Sequence, residues 1–351
     1  MYPISTLEQL TIPLTAHHIR FTVRATTPLV FGEFKGSALR GALAGVLRRT
    51  FCPAWRAEKT DPLHQVLCPI CQLLSVEGDE ETAGDVRRPY AIEPPLDEQT
   101  HFAAGETFSF GLALYGDKLA YLPYLVLAVG GMGESGLGKK GDQERGRRGE
   151  GATGREDRGR FGVEQIEAVN PLSGATETMM AADERMVRSP NLPVTHAQVM
   201  QICDAWLPRL AAQGNQLTVH FRTPTRLTQD EGTQKRADFF PFCKKVVLRV
   251  LDLCAQHGGG RPTLDGQALE LRRHIYPHAD SVQLLTDETQ WWDLKGYSSR
   301  LARAQVLGGF VGRATYYAPD WRPLLPWLIW GMSAHVGKNI VKGCGIYDLR
   351  F

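Results

Sequence analysis

The apolar positions of this chain fall into two alternating patterns. Over residues 17–26, Ile19, Phe21, Val23 and Ala25 take turns with Arg20, Thr22 and Arg24, the period of a half-buried strand. Over residues 34–49, Leu39, Leu43, Val46 and Leu47 return at helical spacing. Small residues between them predict a helix lying close on a sheet, with Lys35, Arg40, Arg48 and Arg49 facing out. The pattern then predicts extended chain over 89–95, a strand over 108–116, an apolar helix over 122–132 and a strand over 161–169. The order returns further on, with a strand over 217–222 and a helix over 239–256. On that helix Lys244, Lys245 and Arg249 stand opposite Phe242, Val246, Val247, Val250 and Leu253. A short helix over 264–274, an apolar helix over 324–332 and a final strand complete the second half. Residues 195–213 carry a helical period through Val199, Ile202, Trp206 and Leu210.

The two apolar helices head the same sentence. Leu122-Pro123 opens the first, which runs through Gly131-Met132 to Gly136-Leu137-Gly138-Lys139-Lys140 and a strand. Leu325-Pro326 opens the second, which runs through Gly331-Met332 to Gly337-Lys338, Gly343-Cys344-Gly345 and the last strand. A proline is tolerated in a first helical turn because its missing donor would be unpaired there. Repetition at this separation predicts two related domains in tandem. Each reads strand, helix, strands, helix, loop, strand, which predicts an α+β chain of two tandem ferredoxin-like (RRM-like) domains with a glycine-rich loop before the last strand. The expected division is 1–172, carrying a cysteine-containing insertion and a disordered loop at 141–159; then 173–214, a linker and helix; then 215–351, the domain with the glycine-rich loop.

Chemistry enters at three places. Gly337, Gly343 and Gly345 permit close backbone approach, and Lys338 and Lys342 add charge beside them. This suits a phosphate, although such a loop also serves as a plain turn into an edge strand. Cys52, His64, Cys68 and Cys71 include a CxxC pair, a candidate structural zinc set whose alternative is a loop of packed thiols. His335, at the exit of the second apolar helix, is expected to be exposed beside the basic loop. Its alternative is a helix-capping histidine.

Composition narrows the class. With 40 Lys and Arg against 38 Asp and Glu, the net charge of +2 does not attract nucleic acid globally, so an anionic partner must be met by local patches. No apolar run reaches the roughly 18 residues of a membrane span, and the start shows no secretory pattern, so a cytoplasmic protein away from membranes is expected. Seven cysteines, an odd number, argue for thiols or metal over disulfides.

Several of these motifs carry a family resemblance. Lys35-Gly36-Ser37-Ala38-Leu39-Arg40-Gly41, Phe221-Arg222-Thr223-Pro224-Thr225-Arg226-Leu227, Tyr297-Ser298-Ser299-Arg300, His335-Val336-Gly337-Lys338 and Gly343-Cys344-Gly345-Ile346-Tyr347 resemble the CRISPR-associated precursor-crRNA processing endoribonucleases of the RAMP superfamily. One departure is Arg88-Pro89-Tyr90, where related chains often place a cysteine before the proline. The resemblance implies binding of CRISPR repeat RNA and cleavage by 2′-hydroxyl attack, with no cofactor for catalysis. It implies a nuclease whose partners are crRNA and other effector subunits. His335, Lys338 and Tyr297 are then the expected catalytic residues. Lys35, Arg40, Arg300, Lys338, Lys342, Gly337, Gly343 and Gly345 are the expected RNA contacts. The other reading is a subunit that holds crRNA in a CRISPR effector without cutting it.

Overall fold

A computed structural model describes residues 10–57, 60–74, 87–140, 158–229, 232–298 and 303–351. In the first half, β1 (Ala16–Ala25) leads to α1 (Lys35–Phe51), then β2 (Tyr90–Glu93), β3 (Thr107–Tyr115), α2 (Leu122–Ser135), β4 (Phe161–Val169) and β5 (Thr176–Met180). The helix α3 (His196–Ala212) bridges to the second half. There β6 (Gln216–Thr225) leads to α4 (Phe239–His257), β7 (Gln283–Trp292), β8 (Gly309–Tyr317), α5 (Leu325–Ala334) and β9 (Tyr347–Arg350).

The two sheets share one pattern. Strand order is β2-β3-β1-β4-β5 in the first and β7-β8-β6-β9 in the second, with every pair antiparallel. Central Phe21 lies opposite Phe110 on one side and Ile166 on the other, and Val219 likewise lies between Ala314 and Leu349. The chain is thus a mixed α/β protein of antiparallel sheets. In each half two helices pack on one another, α1 with α2 and α4 with α5.

The two Leu-Pro helices occupy the same place in their halves but differ in burial. In α2, Leu125, Ala128, Val129 and Met132 face inward while Leu127 is exposed, as for a helix with solvent on one side. By contrast α5 is buried nearly all round, including Trp327, Trp330, Ser333 and Ala334. The first half supplies its extra cover: Tyr115 Oη donates to the Ser333 carbonyl at 3.1 Å, and His18 Nε2 lies 2.6 Å from Ser333 Oγ.

Three expectations are corrected. Residues 264–274 are not one helix: Thr263–Leu264 pairs with Gln267–Ala268 and with Leu10–Thr11, and only Leu271–His274 is helical. Asp265 and Gly266, both at positive φ, make the two-residue turn between those strands, chemistry that the Asp-Gly pair favours. The stretch 173–214 is more than a linker, because β5 extends the first sheet while Val199, Cys203 and Leu210 of α3 enter the second core. On α4, Arg249 is buried instead of lying on an outer basic face. Most of the expected loop 141–159, and Arg300, fall outside the described residues.

Candidate nucleic-acid interface

The second glycine loop is folded back against the first half of the chain. Gly36 of α1 packs on the Lys342 carbonyl, and Gly343 packs on Pro94, where a β-carbon at either glycine would collide. Gly337 at φ 89° and Gly345 at φ 80° adopt a left-handed backbone that excludes other residues at little cost only for glycine. The loop's amides are used within the protein. Lys338 N donates to the Arg226 carbonyl at 3.1 Å, Gly343 N to Ile340 at 2.8 Å and Gly345 N to Pro224 at 3.2 Å. The expected cradle of backbone amides for phosphate is therefore closed at these positions. Attraction for an anion must come from side chains.

His335 is corrected most. It is 1% exposed, so it is not a surface histidine beside the loop. It ends α5 at φ 61°, the position that Gly136 holds at φ 83° in the first half. Its Nε2 lies 3.4 Å from Glu93 Oε1, the atom that His18 Nδ1 meets at 2.6 Å. Burial lowers the His335 pKa and outweighs the opposing pull of Glu93, so the ring is held neutral. Burial would push the Glu93 carboxyl up, but charge and hydrogen bonds from His18, joined by His335, win and hold it well below the ordinary carboxylate range. His335 fastens the two halves and does not touch the outside.

The expected basic contacts divide. Lys35 is buried, its Nζ 2.7 Å from Asp97 Oδ1 and 2.5 Å from the Asp97 carbonyl, so it ties α1 to a loop instead of facing out. Lys338 is exposed. Lys342 is half-buried, and burial, followed by the nearby charge of Arg40, lowers its pKa below the ordinary lysine value. Arg40 Nε is buried without a hydrogen-bond partner. A first cationic point therefore forms where α1 meets the glycine loop. The backbone of Tyr297 lies on a strand, Lys295–Ser298, paired with Arg303–Val306.

A second cationic point was not collected by sequence reasoning. Arg87, Arg226, Lys245, Arg249 and Lys338 line a small cleft, with Thr228 and Gly337 completing its wall. Lys245 and Arg249 stand one helical turn apart on α4, a spacing visible in the sequence. Arg87 comes from the first half, where its Nε donates to Asp252 of α4 at 2.9 Å. Its convergence on the others has no signal in the sequence.

The cysteine set does converge. Cys52 ends α1, His64 lies on the helix Pro62–Leu67, Cys68 caps that helix, and Cys71 lies on Pro69–Leu74. Cys52 Sγ is 3.4 Å from His64 Nε2 and 3.9 Å from Cys71 Sγ, and all four donor atoms lie within 4.8 Å of one another. Tetrahedral zinc with Zn–S of about 2.3 Å needs donors roughly 3.5 to 3.8 Å apart, so the residues fit the ion. Burial, together with Cys68 and Cys52, pushes the Cys71 thiol up to about 12, a cost that a bound dication would reverse.

Two antiparallel sheets, each carrying a pair of packed helices, define the class of protein, and known proteins share parts of this arrangement. Residues 219–347 match the model of the CRISPR-associated endoribonuclease Cas6, and residues 14–192 match a model described as an N-terminal domain. The match identifies residues 219–347 as a Cas6-type domain. Among solved structures it is similar to a partial Cas6-RT-Cas1–Cas2 complex, at 11% identity and TM-score 0.56, covering 96% of this chain and 46% of that one. It therefore spans less than half the length of that chain. It is also similar to a Cas6 product complex (12% identity, TM-score 0.53, covering 95% and 100%). Thermus thermophilus Cas6 is a further likeness (10% identity, TM-score 0.51, covering 96% and 99%). At these identities the likeness is one of fold. No curated protein matches. Among the described residues no helix is long and apolar enough to cross a membrane.

Proposed function

We propose that this protein is a metal-independent endoribonuclease of two ferredoxin-like units, approximately residues 16–169 and 216–350, that binds CRISPR repeat RNA and cleaves precursor crRNA. The two-unit reading is supported by the shared order of strands and helices, with strand order 2-3-1-4 in each set of four. In the reaction the 2′-oxygen attacks the adjacent phosphorus while the bond to the 5′-oxygen breaks. A cyclic 2′,3′-phosphate and a 5′-hydroxyl result; the 2′-hydroxyl loses its proton and the leaving oxygen gains one.

The observation that carries the reading is the pairing of Arg40 with Lys342 where α1 meets the glycine loop. Arg40 supplies charge for the crowded phosphate, and Lys342, held below the ordinary lysine pKa by burial and by Arg40, gives its proton to the leaving oxygen. Tyr297 is the proposed partner in proton transfer, and Lys338 and Arg300 hold the strand. His335 positions the joint and does not exchange protons with substrate. A zinc ion on Cys52, His64, Cys68 and Cys71 would be structural, since all four positions are protein ligands.

Burial of His335 favours a second reading, a subunit that binds crRNA without cutting. Incubating the protein with labelled repeat RNA in EDTA decides between them. Cleavage there supports the nuclease, while tight binding with intact RNA supports the subunit.

A further inference from the structure

We propose that Cys52 and Cys71 are a site of reversible oxidation by hydroperoxides, where a disulfide forms and the cysteine–histidine set releases the helix Pro62–Leu67. The proposal is independent of the RNA reading above and stands on the cysteine set alone.

The set is anchored unevenly. Cys52 caps the C-terminal end of α1, whose Leu39, Leu43, Val46 and Leu47 are buried in the first core. Cys71 lies on Pro69–Leu74, whose Ile70, Leu73 and Leu74 enter the same core. The two sulfurs are 3.9 Å apart. Between them in sequence, the helix Pro62–Leu67 buries no side chain, and its Leu63, Val66 and Leu67 are 64%, 67% and 67% exposed. The set ties this helix down: His64 Nε2 lies 3.4 Å from Cys52 Sγ, and Cys68 caps the helix. Gln72 adds a bond to the Val66 carbonyl. A segment with so few buried contacts opens locally at low cost, and opening uncovers sulfurs that are buried in the closed state.

The chemistry balances without a further reagent. One thiolate attacks a peroxide oxygen and the O–O bond breaks, which leaves a sulfenic acid and a hydroxide. The second thiolate attacks the sulfenic sulfur and expels a second hydroxide. Two protons turn the hydroxides into water, two electrons pass from sulfur to oxygen, and one S–S bond is made.

Uneven anchoring selects the pair. When the helix lifts, Cys68 leaves with it as its cap, while Cys52 and Cys71 stay on elements held by the core. The bond therefore joins Cys52 to Cys71 and not Cys68 to Cys71. It removes two of the four donors, so a zinc ion held by the set is set free. His64 and Cys68 then lose the link to α1, and the helix stays released until a reductant restores the thiols. Cys203, Cys243, Cys254 and Cys344 are buried and lie outside the set, which makes them internal controls.

The experiment treats the full chain, reduced and supplied with zinc, with a small excess of hydrogen peroxide. Thiols counted in denaturant should fall by two from seven, mass spectrometry should map the loss to a Cys52–Cys71 disulfide, and dithiothreitol should restore the count. Zinc read with a coloured chelator should appear in step with the thiol loss. Chymotrypsin under native conditions should cut at Trp55, Leu63 and Leu67 about threefold faster, or more, in the oxidised protein. Cys203→Ala should likewise lose two thiols. Because Cys52→Ser also removes a zinc donor, the map of the wild-type protein is the deciding measurement. Thiols that all survive peroxide, a Cys68–Cys71 disulfide or bonds between chains overturn the assignment. A Cys52–Cys71 disulfide in protein that chymotrypsin cuts no faster overturns the release of the helix. For protein that takes up no zinc, the thiol count, the map and the digestion decide in the same way.

Discussion

His335 Nε2 stands 3.4 Å from Glu93 Oε1, so a residue at the exit of the last helix is held by one on the second strand of the other half. His18 meets the same carboxylate oxygen at 2.6 Å and reaches Ser333 with its other nitrogen. The groups form a closed polar joint between two apolar cores. His18 and Glu93 pair within the first half, and both halves must be in register for the contacts to Ser333 and His335 to form.

Stability should fall as the solution is acidified, in two windows. The His335 pKa is lowered in the fold, so the unfolded chain binds the extra proton and stability is lost as pH drops through and below the ordinary value of 6.5. The Glu93 pKa is also lowered, so its contribution is present above the ordinary 4.5 and is lost below it, towards the folded value. Glu93→Gln should cost about 2 to 3 kcal/mol at neutral pH and remove the lower window. Denaturant melts across the pH range measure both; a flat profile between pH 7 and 5 would refute the assignment to His335.

Replacing His335 separates backbone strain from side-chain contact. His335→Ala keeps a β-carbon at φ 61°, whereas His335→Gly releases it, so the glycine variant should be the more stable by about 1 kcal/mol. Both lose the contact with Glu93. If RNA is cleaved, His335→Gly should retain the single-turnover rate within about threefold when assayed well below its melting temperature; a collapse of the rate with binding intact would return His335 to the proton-transfer steps.

Metal analysis of protein purified without chelator should find about one zinc per chain. Cys68→Ser and Cys71→Ser should each lower that content and the melting temperature together. Stoichiometric absence of zinc from well-folded protein would leave the packed-thiol reading.

Lys342 should betray its proposed role in the difference between two substitutions. Lys342→Ala should lower cleavage by roughly 10² to 10⁴, the range of general acid–base help. Lys342→Arg keeps the charge but transfers protons poorly, so binding should stay within about threefold while cleavage remains low. In the wild type, cleavage should decline as pH rises through a Lys342 pKa lying below the ordinary 10.5. Equal cleavage by Lys342→Arg and the wild type would show that only charge is required.

Affinity for repeat RNA should fall steeply with salt, because bound phosphates release counterions. Exposed Lys338, replaced by alanine, should weaken binding and reduce the slope of log affinity against log salt by about one charge or less. An unchanged slope would place Lys338 outside the interface.

The first strand and the paired helices of each half were already legible in the sequence, because burial on a sheet imposes a period of two and burial of a helix face a period near 3.6. Ile19, Phe21 and Val23 mark the first central strand in that way, and Leu39, Leu43, Val46 and Leu47 mark the helix laid on its sheet. The duplicated Leu-Pro helices were equally visible, and so was the cysteine set as a candidate. Local pattern could not say which helix would be enclosed: α2 and α5 read alike, and it is tertiary cover, from α3 and from Tyr115 and His18 on Ser333, that buries the second. That docking decides the fate of His335, which a local reading placed at the surface. It was tertiary packing, too, that directed two of the loop's amides to Arg226 and Pro224, buried Arg249, and carried Arg87 across to meet Lys245. Contacts such as Lys338 to Arg226, Gly345 to Pro224 and Tyr115 to Ser333 join residues more than a hundred positions apart, where periodicity carries no information and only the folded packing sets distance and burial.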